Sequence, residues 1–410
     1  MSTEAFFIII LAIFIGETIL TKYLGYLNTT RWSDDVPKEL EGIYDSEKYA
    51  QSQKYERTKY KFSWISGAVS FFIMLMILLL GGFGALDDFW RQFFENEIIL
   101  ALVFFGSITV LQTLITLPFS WYSTFVIEEN FGFNKMTKKL FIIDMIKGLL
   151  LSSIIGGVMI ALIVWIYTML GTSFWIYAWV LATAFSLFFM MFYSSLIVPL
   201  FNKQSPLEAG ALRTAIEDFA EKVGFTGTDI YVIDGSKRSS KANAYFSGFG
   251  PKKRIVLFDT LIEDLETEEL VAVLAHEIGH YKKRHTLQML ALSIFQTGII
   301  LFIFSLALGI PEVSYALGGN IQSFHLGAIA FGILFTPLSI VFGMLSSIFS
   351  RKNEYEADDY ARQNYSGEHL QNALIKLSQN NLSNMRPHPW YEFFYYSHPT
   401  VLKRLAALKK

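Results

Sequence analysis

His276, Glu277 and His280 stand within one helical turn in the stretch AHEIGH, on a chain that has only seven histidines. Side chains four residues apart project from the same face of a helix, so the two imidazoles can share a zinc ion. Glu277 lies beside them, placed to take a proton from a water whose pKa such an ion lowers to about 7. Gly279 argues against a merely structural helix, because glycine costs about 1 kcal/mol there relative to alanine. The helix has its own signals: Thr267 as a cap, Glu268 and Glu269 in the first turn, and Lys282, Lys283 and Arg284 at the end. His285 is out of phase with His280, and the extended H-x-x-G-x-x-H continuation is missing, with Lys283 and Thr286 in its places. It reads as an interfacial histidine.

A catalytic zinc needs a third protein ligand and an open position. The acids of RKNEYEADDY, Arg351–Tyr360, are the candidates. On a helix Glu354 and Asp358 share a face, one turn apart, whereas Glu356 points nearly the opposite way and Asp359 about 100° from Asp358. One acid of the pair can bind zinc, and the other can accept the remaining ring N–H of a ligating histidine. Glu356 is expected to take no part.

The elements that must position these residues lie partly in a membrane. The chain is 52% hydrophobic and only 17% charged over 410 residues. Seven apolar runs are long enough to span a bilayer: Ala5–Leu24, Trp64–Phe83, Ile98–Phe119, Gly148–Met169, Phe174–Leu200, Leu287–Leu308 and Phe324–Phe349. Of the 34 Lys and Arg, all but Arg91 fall on one side of the resulting topology. The positive-inside rule then puts the N-terminus outside and the C-terminus inside. The first run is not expected to be a cleaved signal peptide, since MSTE carries no basic residue and no small-residue cleavage site follows. The net charge of -2 gives no reason to expect a nucleic-acid partner. The absence of cysteine removes disulfides, thiolate ligands and cysteine nucleophiles.

The fold class expected is therefore mainly α, a polytopic membrane protein with a small α+β catalytic domain on the inner face. Residues 1–200 hold spans one to five and 286–350 hold spans six and seven. The domain is split between 201–285 and 351–410. Within it, Leu212–Val223 has helical spacing and Ile230–Asp234 reads as a strand. NAYFSGF and RIVLFDTLI read as a β-hairpin turning at Gly250 and Pro251. The polar segment from Tyr26 to Phe62 is expected to contain helix.

HEIGH followed by EYEAD, on either side of two spans, resembles the integral-membrane zinc metalloproteases of the CAAX prenyl protease 1 type, the type I CaaX endopeptidases. FVIEENFGFNKMT (Phe125–Thr137), IVPLFNK (Ile197–Lys203), DGSKRSSKANAYFSGF (Asp234–Phe249) and SHPTVLKRL (Ser397–Leu405) are similar to the same family, in its order. The resemblance implies a ring of seven helices around an intramembrane chamber, capped on the inner side by a zincin-type domain. It implies one zinc ion held by His276, His280 and Glu354, with Asp358 behind them and Glu277 as the base. It also implies His398 and Arg404 as catalytic-site residues steadying developing charge, and Asn243 as the residue that aligns substrate. Asn243 precedes Ala244 in a candidate edge strand, where an extended peptide can pair. The substrate class is a peptide or protein, prenylated in eukaryotic members, which lose their last three residues to the enzyme. Short outer loops and the ending LKK look more like a prokaryotic member, in a cell membrane; a eukaryotic one would sit in the endoplasmic reticulum. A quality-control membrane protease would share the chemistry with fewer spans, and a transporter with a vestigial zinc site would lack it.

Overall fold

The computed structural model describes residues 1–225, 229–247 and 253–410, and they are mainly helical. The first apolar helices are α1 (Thr3–Thr29), α2 (Ser46–Leu79), the short α3 (Gly82–Arg91) and α4 (Glu97–Tyr122). α5 (Lys138–Leu170), α6 (Phe174–Phe192) and the single turn α7 (Val198–Phe201) follow. Polar side chains start four of them. Ser2, Asp45, Asn96 and Thr137 each accept a hydrogen bond from a first-turn N–H, satisfying donors with no partner inside the helix.

Among the described residues, five helical stretches are long and apolar enough to cross a membrane, or up to six if a bent pair counts as one span. One of the five, Lys138–Phe201, is 64 residues long, which straight would be about three times the thickness of a hydrocarbon core. It is not straight. Gly171 takes φ 56° and ψ -135°, a conformation open to glycine, and the chain doubles back. Lys147 Nζ of α5 then donates to the Leu200 carbonyl of α7 at 2.8 Å.

Arg91, set apart by the charge count, ends α3 in a local network. It donates to Asp87 (3.0 Å), Glu97 (2.9 Å) and Ser323 (2.8 Å), and Asp87 meets His325 at 2.6 Å. Its position thus follows from specific partners.

The polar half of the fold begins with β1 (Gln204–Pro206) and α8 (Ala211–Lys222), then β2 (Asp229–Ile233), β3 (Ala244–Ser247) and β4 (Arg254–Phe258). The sheet order is β1-β2-β4-β3, with β2 and β4 parallel and β3 antiparallel to β4 at one edge. The expected turn at Gly250 and Pro251 lies outside the described residues. β4 stops at Phe258, and the rest of the expected strand is the helix α9 (Asp259–Asp264). The Asp259 carboxylate accepts from the N–H groups of Ser236 and Thr260 there, a local turn bond that competes with strand.

α10 (Thr267–Lys282) carries the histidines. Its cap is Glu266, not Thr267: Glu266 and Glu269 form a reciprocal capping box. Arg284 then takes φ 59°, a left-handed residue that ends α10 and starts α11 (His285–Leu308) at once. After α12 (Pro311–Tyr315), α13 (Phe324–Leu334) and α14 (Thr336–Ala361) form the bent pair, at 59°. Pro337 explains the bend, since it lacks the N–H that would bond back into α13. α15 (Gly367–Asn380), α16 (Pro389–Tyr395) and α17 (Val401–Leu408) complete the chain.

One hydrophobic core joins both polar stretches. Leu257, Leu274 and Ile278 pack with Ala361, Ala373 and Leu408. At its edge α10 and α14 cross closely: a Cβ on Gly279 would lie 3.1 Å from Ala357 Cα and 3.2 Å from its carbonyl oxygen. The neighbours are backbone, so they cannot swing aside. Gly279→Val should therefore cost about 1–3 kcal/mol through overpacking. A drop in the thermal midpoint of the purified protein is the expected reading; an unchanged midpoint would contradict the tight crossing.

Candidate metal centre

The crossing of α10 and α14 brings three donor groups together. His276 Nε2 and His280 Nε2 face each other at 3.1 Å. Glu354 reaches both, Oε2 lying 3.5 Å from His276 Nε2 and Oε1 3.3 Å from His280 Nε2. Atoms bound about 2.0–2.1 Å from one tetrahedral zinc lie about 3.3 Å apart. The three spacings match those of a zinc ligand set. A second observation agrees: Glu354 Oε2 is buried and, among the described residues, accepts no hydrogen bond. An orphaned buried carboxylate oxygen suits a cation.

Behind the donors sits a buried ion pair. His276 Nδ1 lies 2.9 Å from Asp358 Oδ1, which leaves its Nε2 lone pair free to face a metal. Arg404 grips Asp358 with two bonds, Nε to Oδ2 at 2.9 Å and an Nη to Oδ1 at 2.6 Å, and its other Nη lies 3.4 Å from Glu354 Oε2. Arg404 is buried. Its guanidinium is directed at Asp358, behind His276, and at Glu354 beside it.

Charge follows this geometry. Burial opposes a charged His276, but hydrogen bonds with Asp358 and Glu354 outweigh it and raise its pKa to about 9. Glu354 and Asp358 lie past the apolar part of α14. Burial penalises both, yet the imidazoles of His276 and His280 hold Glu354 far below the usual carboxylate range. His276 and Arg404 lower the pKa of Asp358. Burial works against Arg404 as well, and its bonds to Asp358 raise its pKa regardless.

Glu277 follows His276 on α10, half-buried, with no hydrogen-bond or ion-pair partner among the described residues. His398 is largely exposed, with its Nε2 3.3 Å from Glu354 Oε1 and its Nδ1 2.9 Å from Ser397 Oγ. Asn243 is exposed immediately before the edge strand β3, and its side-chain oxygen accepts from the Ala244 N–H at 2.8 Å. Its approach is set from the membrane side. Lys241 Nζ donates to Glu128 (2.8 Å) and Tyr55 (2.9 Å), and Arg238 holds Asp144 with two bonds. Asn134 and Ser239 form a β-bridge beside them.

The structure corrects the reading of His285 and adds a contact for Glu356 at this centre. His285 is buried, not interfacial, and its Nδ1 lies 3.0 Å from His280 Nδ1. Glu356, expected to take no part, reaches His285 Nε2 at 3.1 Å. Helical phase placed His285 outside the site only if α10 ran on past Arg284, whereas Glu356 lies on α14 and meets the site through His285. The basic run at Lys282–Arg284, which marks the helix end, was the signal that phase stops there.

Comparison with known proteins agrees with this geometry. Residues 206–410 match peptidase family M48, and residues 26–203 match the family described as CAAX prenyl protease N-terminal, five membrane helices. The chain belongs to peptidase family M48. It is 38% identical to the CAAX prenyl protease 1 homolog of Oryza sativa, covering 91% of this chain and 90% of that one. It is 37% identical to the CAAX prenyl protease 1 of Saccharomyces cerevisiae, covering 96% and 93%. A crystal structure of S. mikatae Ste24p superposes with a TM-score of 0.92 at 37% identity, covering 99% of each chain. This M48 peptidase is thus a membrane metalloendopeptidase that acts on peptide or protein, and its family implies zinc.

Removing Arg404 would leave Asp358 buried beside Glu354 without its paired cation. Arg404→Ala should cost about 3–5 kcal/mol. Arg404→Lys should fall between, since an ammonium restores charge but not the two-pronged grip. Unfolding midpoints of the purified variants measure this, and an unaltered Arg404→Ala protein would refute the pairing.

Proposed function

We propose that this M48 peptidase hydrolyses a peptide bond near the C-terminus of a prenylated CaaX protein, at a single zinc held by His276, His280 and Glu354. The observation that carries the reading is the convergence of those three donors at zinc-ligand spacings, with an unpartnered Glu277 on the same helix. The substrate class comes from the relatives, which are named CAAX prenyl proteases. A cavity of about 910 Å³ beside α1, α2 and α4 has both polar and apolar walls, among them Lys22, Trp64, Phe71 and Gln112. It offers room for an amphipathic substrate.

When bound, zinc would acidify a water and polarise the scissile carbonyl. Glu277 takes the proton of the attacking water and returns it to the leaving amine. The open edge of β3, beginning at Asn243 and Ala244, pairs with an extended peptide and fixes its register. His398 is the exposed donor positioned to steady the oxyanion. Asp358 orients His276, and Arg404 acts as a positioning residue through Asp358.

We further propose seven spans with the N-terminus outside and the C-terminus and catalytic unit inside. The doubling back at Gly171 divides the 64-residue stretch in two, and the α13–α14 pair adds one more. The basic residues supply the orientation. The catalytic unit is of the zincin type and comprises residues 201–285 and 351–410, interrupted by 286–350. Their shared core supports that division.

Glu277→Gln keeps the shape and removes the base. It should retain zinc and lose turnover, and a tenth of wild-type cleavage, measured on farnesylated and unmodified CaaX peptides with and without chelator, would exclude Glu277 as the base. Equal cleavage of the two peptides would exclude prenyl specificity. Topology reporters after Asp87 and Tyr315 should be outside, and one at the C-terminus inside. A C-terminal tag reached from outside intact cells would reverse the orientation.

A further inference from the structure

The two histidines of the metal centre are held from behind in different ways. His276 passes its Nδ1–H directly to a carboxylate, Asp358, at 2.9 Å. Among the described residues His280 has no carboxylate at its Nδ1; it has the Nδ1 of another imidazole, His285, at 3.0 Å. The other nitrogen of His285 lies 3.1 Å from Glu356 Oε2. If His280 Nε2 is to face a metal with its lone pair, its proton sits on Nδ1 and is donated to His285. His285 then accepts at Nδ1, carries its own proton on Nε2, and donates that to Glu356. One tautomer of each ring satisfies every contact.

We infer that His285 and Glu356 are positioning residues that orient His280 for metal through this two-step relay. The inference rests on the zinc site proposed above. His285 is not itself a ligand, because it meets the face of His280 that points away from Glu354 and His276. Its burial fits the role: at 2% exposure the ring cannot turn to water for its bonds. The backbone fits as well. The left-handed turn at Arg284, φ 59°, folds the first residue of α11 back onto the last turn of α10. A non-glycine residue holds that conformation at a cost, and the contact it makes is His285 on His280. Glu356 is the accessible end of the relay, with Lys352 Nζ 3.6 Å from it.

Zinc affinity, read by chelator competition on the purified full-length protein, tests this apart from turnover. Partners in this position change metal affinity about 10–100-fold. His285→Leu should weaken zinc about tenfold or more, and Glu356→Ala by a smaller factor. His285→Asn, whose amide oxygen still accepts from His280, should stay nearer wild type than the leucine variant. The visible spectrum of the cobalt-substituted protein should change in the same order. Wild-type affinity in a folded His285→Leu overturns the inference, even if its thermal midpoint falls, for then the contact only packs. Should that variant not fold, unchanged affinity in Glu356→Ala overturns it equally. Glu354→Ala in the same assay separates the two readings. Zinc lost there but kept in both relay variants sinks the relay alone, whereas zinc kept in Glu354→Ala sinks the site and the relay with it.

Discussion

A carboxylate buried against two imidazoles constrains the whole polar half of this protein. Glu354 is 4% exposed, and one of its oxygens accepts no hydrogen bond among the described residues. Burying such a charge is expensive unless a cation or strong donors compensate it. Its neighbours respond to that demand: His276 and His280 in front, Arg404 to the side, His398 at the open rim. These partners come from two remote parts of the chain, 276–280 and 398–404, and a membrane region interrupts them. The approach of α10 to α14 therefore has to be close and fixed, and Gly279 against Ala357 provides it. Glycine in HEIGH serves packing here: any side chain would hold the two helices, and so Glu354 and the histidines, apart.

The chain end is drawn into the same arrangement. Arg404 and Leu405 are buried on α17, and Leu408 belongs to the core that α10 and β4 build. A buried ion pair such as Arg404–Asp358 contributes little net stability by itself, since desolvation offsets the attraction. Its value is directional, because a two-pronged guanidinium fixes one carboxylate, and the carboxylate fixes one imidazole. The docked tail thus holds Asp358, and through it His276, in one orientation.

Much of this was legible in the sequence, for identifiable reasons. Helical phase put His276 and His280 on one face of α10 and paired Glu354 with Asp358 on α14, because both lie inside unbroken helices. Apolar runs located the membrane helices, and short β-prone runs beside turn residues found β2, β3 and β4. The misses sit where regular periodicity stops. β1 has three residues, too few for a pattern. α9 follows β4 without a break where Asp259 accepts from the adjacent Thr260 N–H and from Ser236, 23 residues earlier. The left-handed Arg284 reset the phase, which hid the contact of His285 with His280. The bias of Arg404 toward Asp358 depends on a contact between residues 46 apart, which no local rule supplies.

The placement of β3 adds a requirement that the metal set alone would not impose. A peptide pairing with an edge strand has its register fixed by main-chain bonds, so the edge itself must not drift relative to the donors. On one side β4 leads by way of α9 into α10, which ties the sheet to the histidines through a short, rigid path. On the other side the segment before Asn243 is fastened to helices of the membrane region. Tyr55 of α2 and Glu128 after α4 hold Lys241, and Asp144 of α5 holds Arg238. Lys241 also lies over the Phe133 ring at 4.2 Å, a cation–π contact that strengthens away from water. The edge is thus braced between the catalytic core and the membrane helices. The lipidated substrate proposed above needs that fixed offset, and a freely hinged catalytic unit would not supply it.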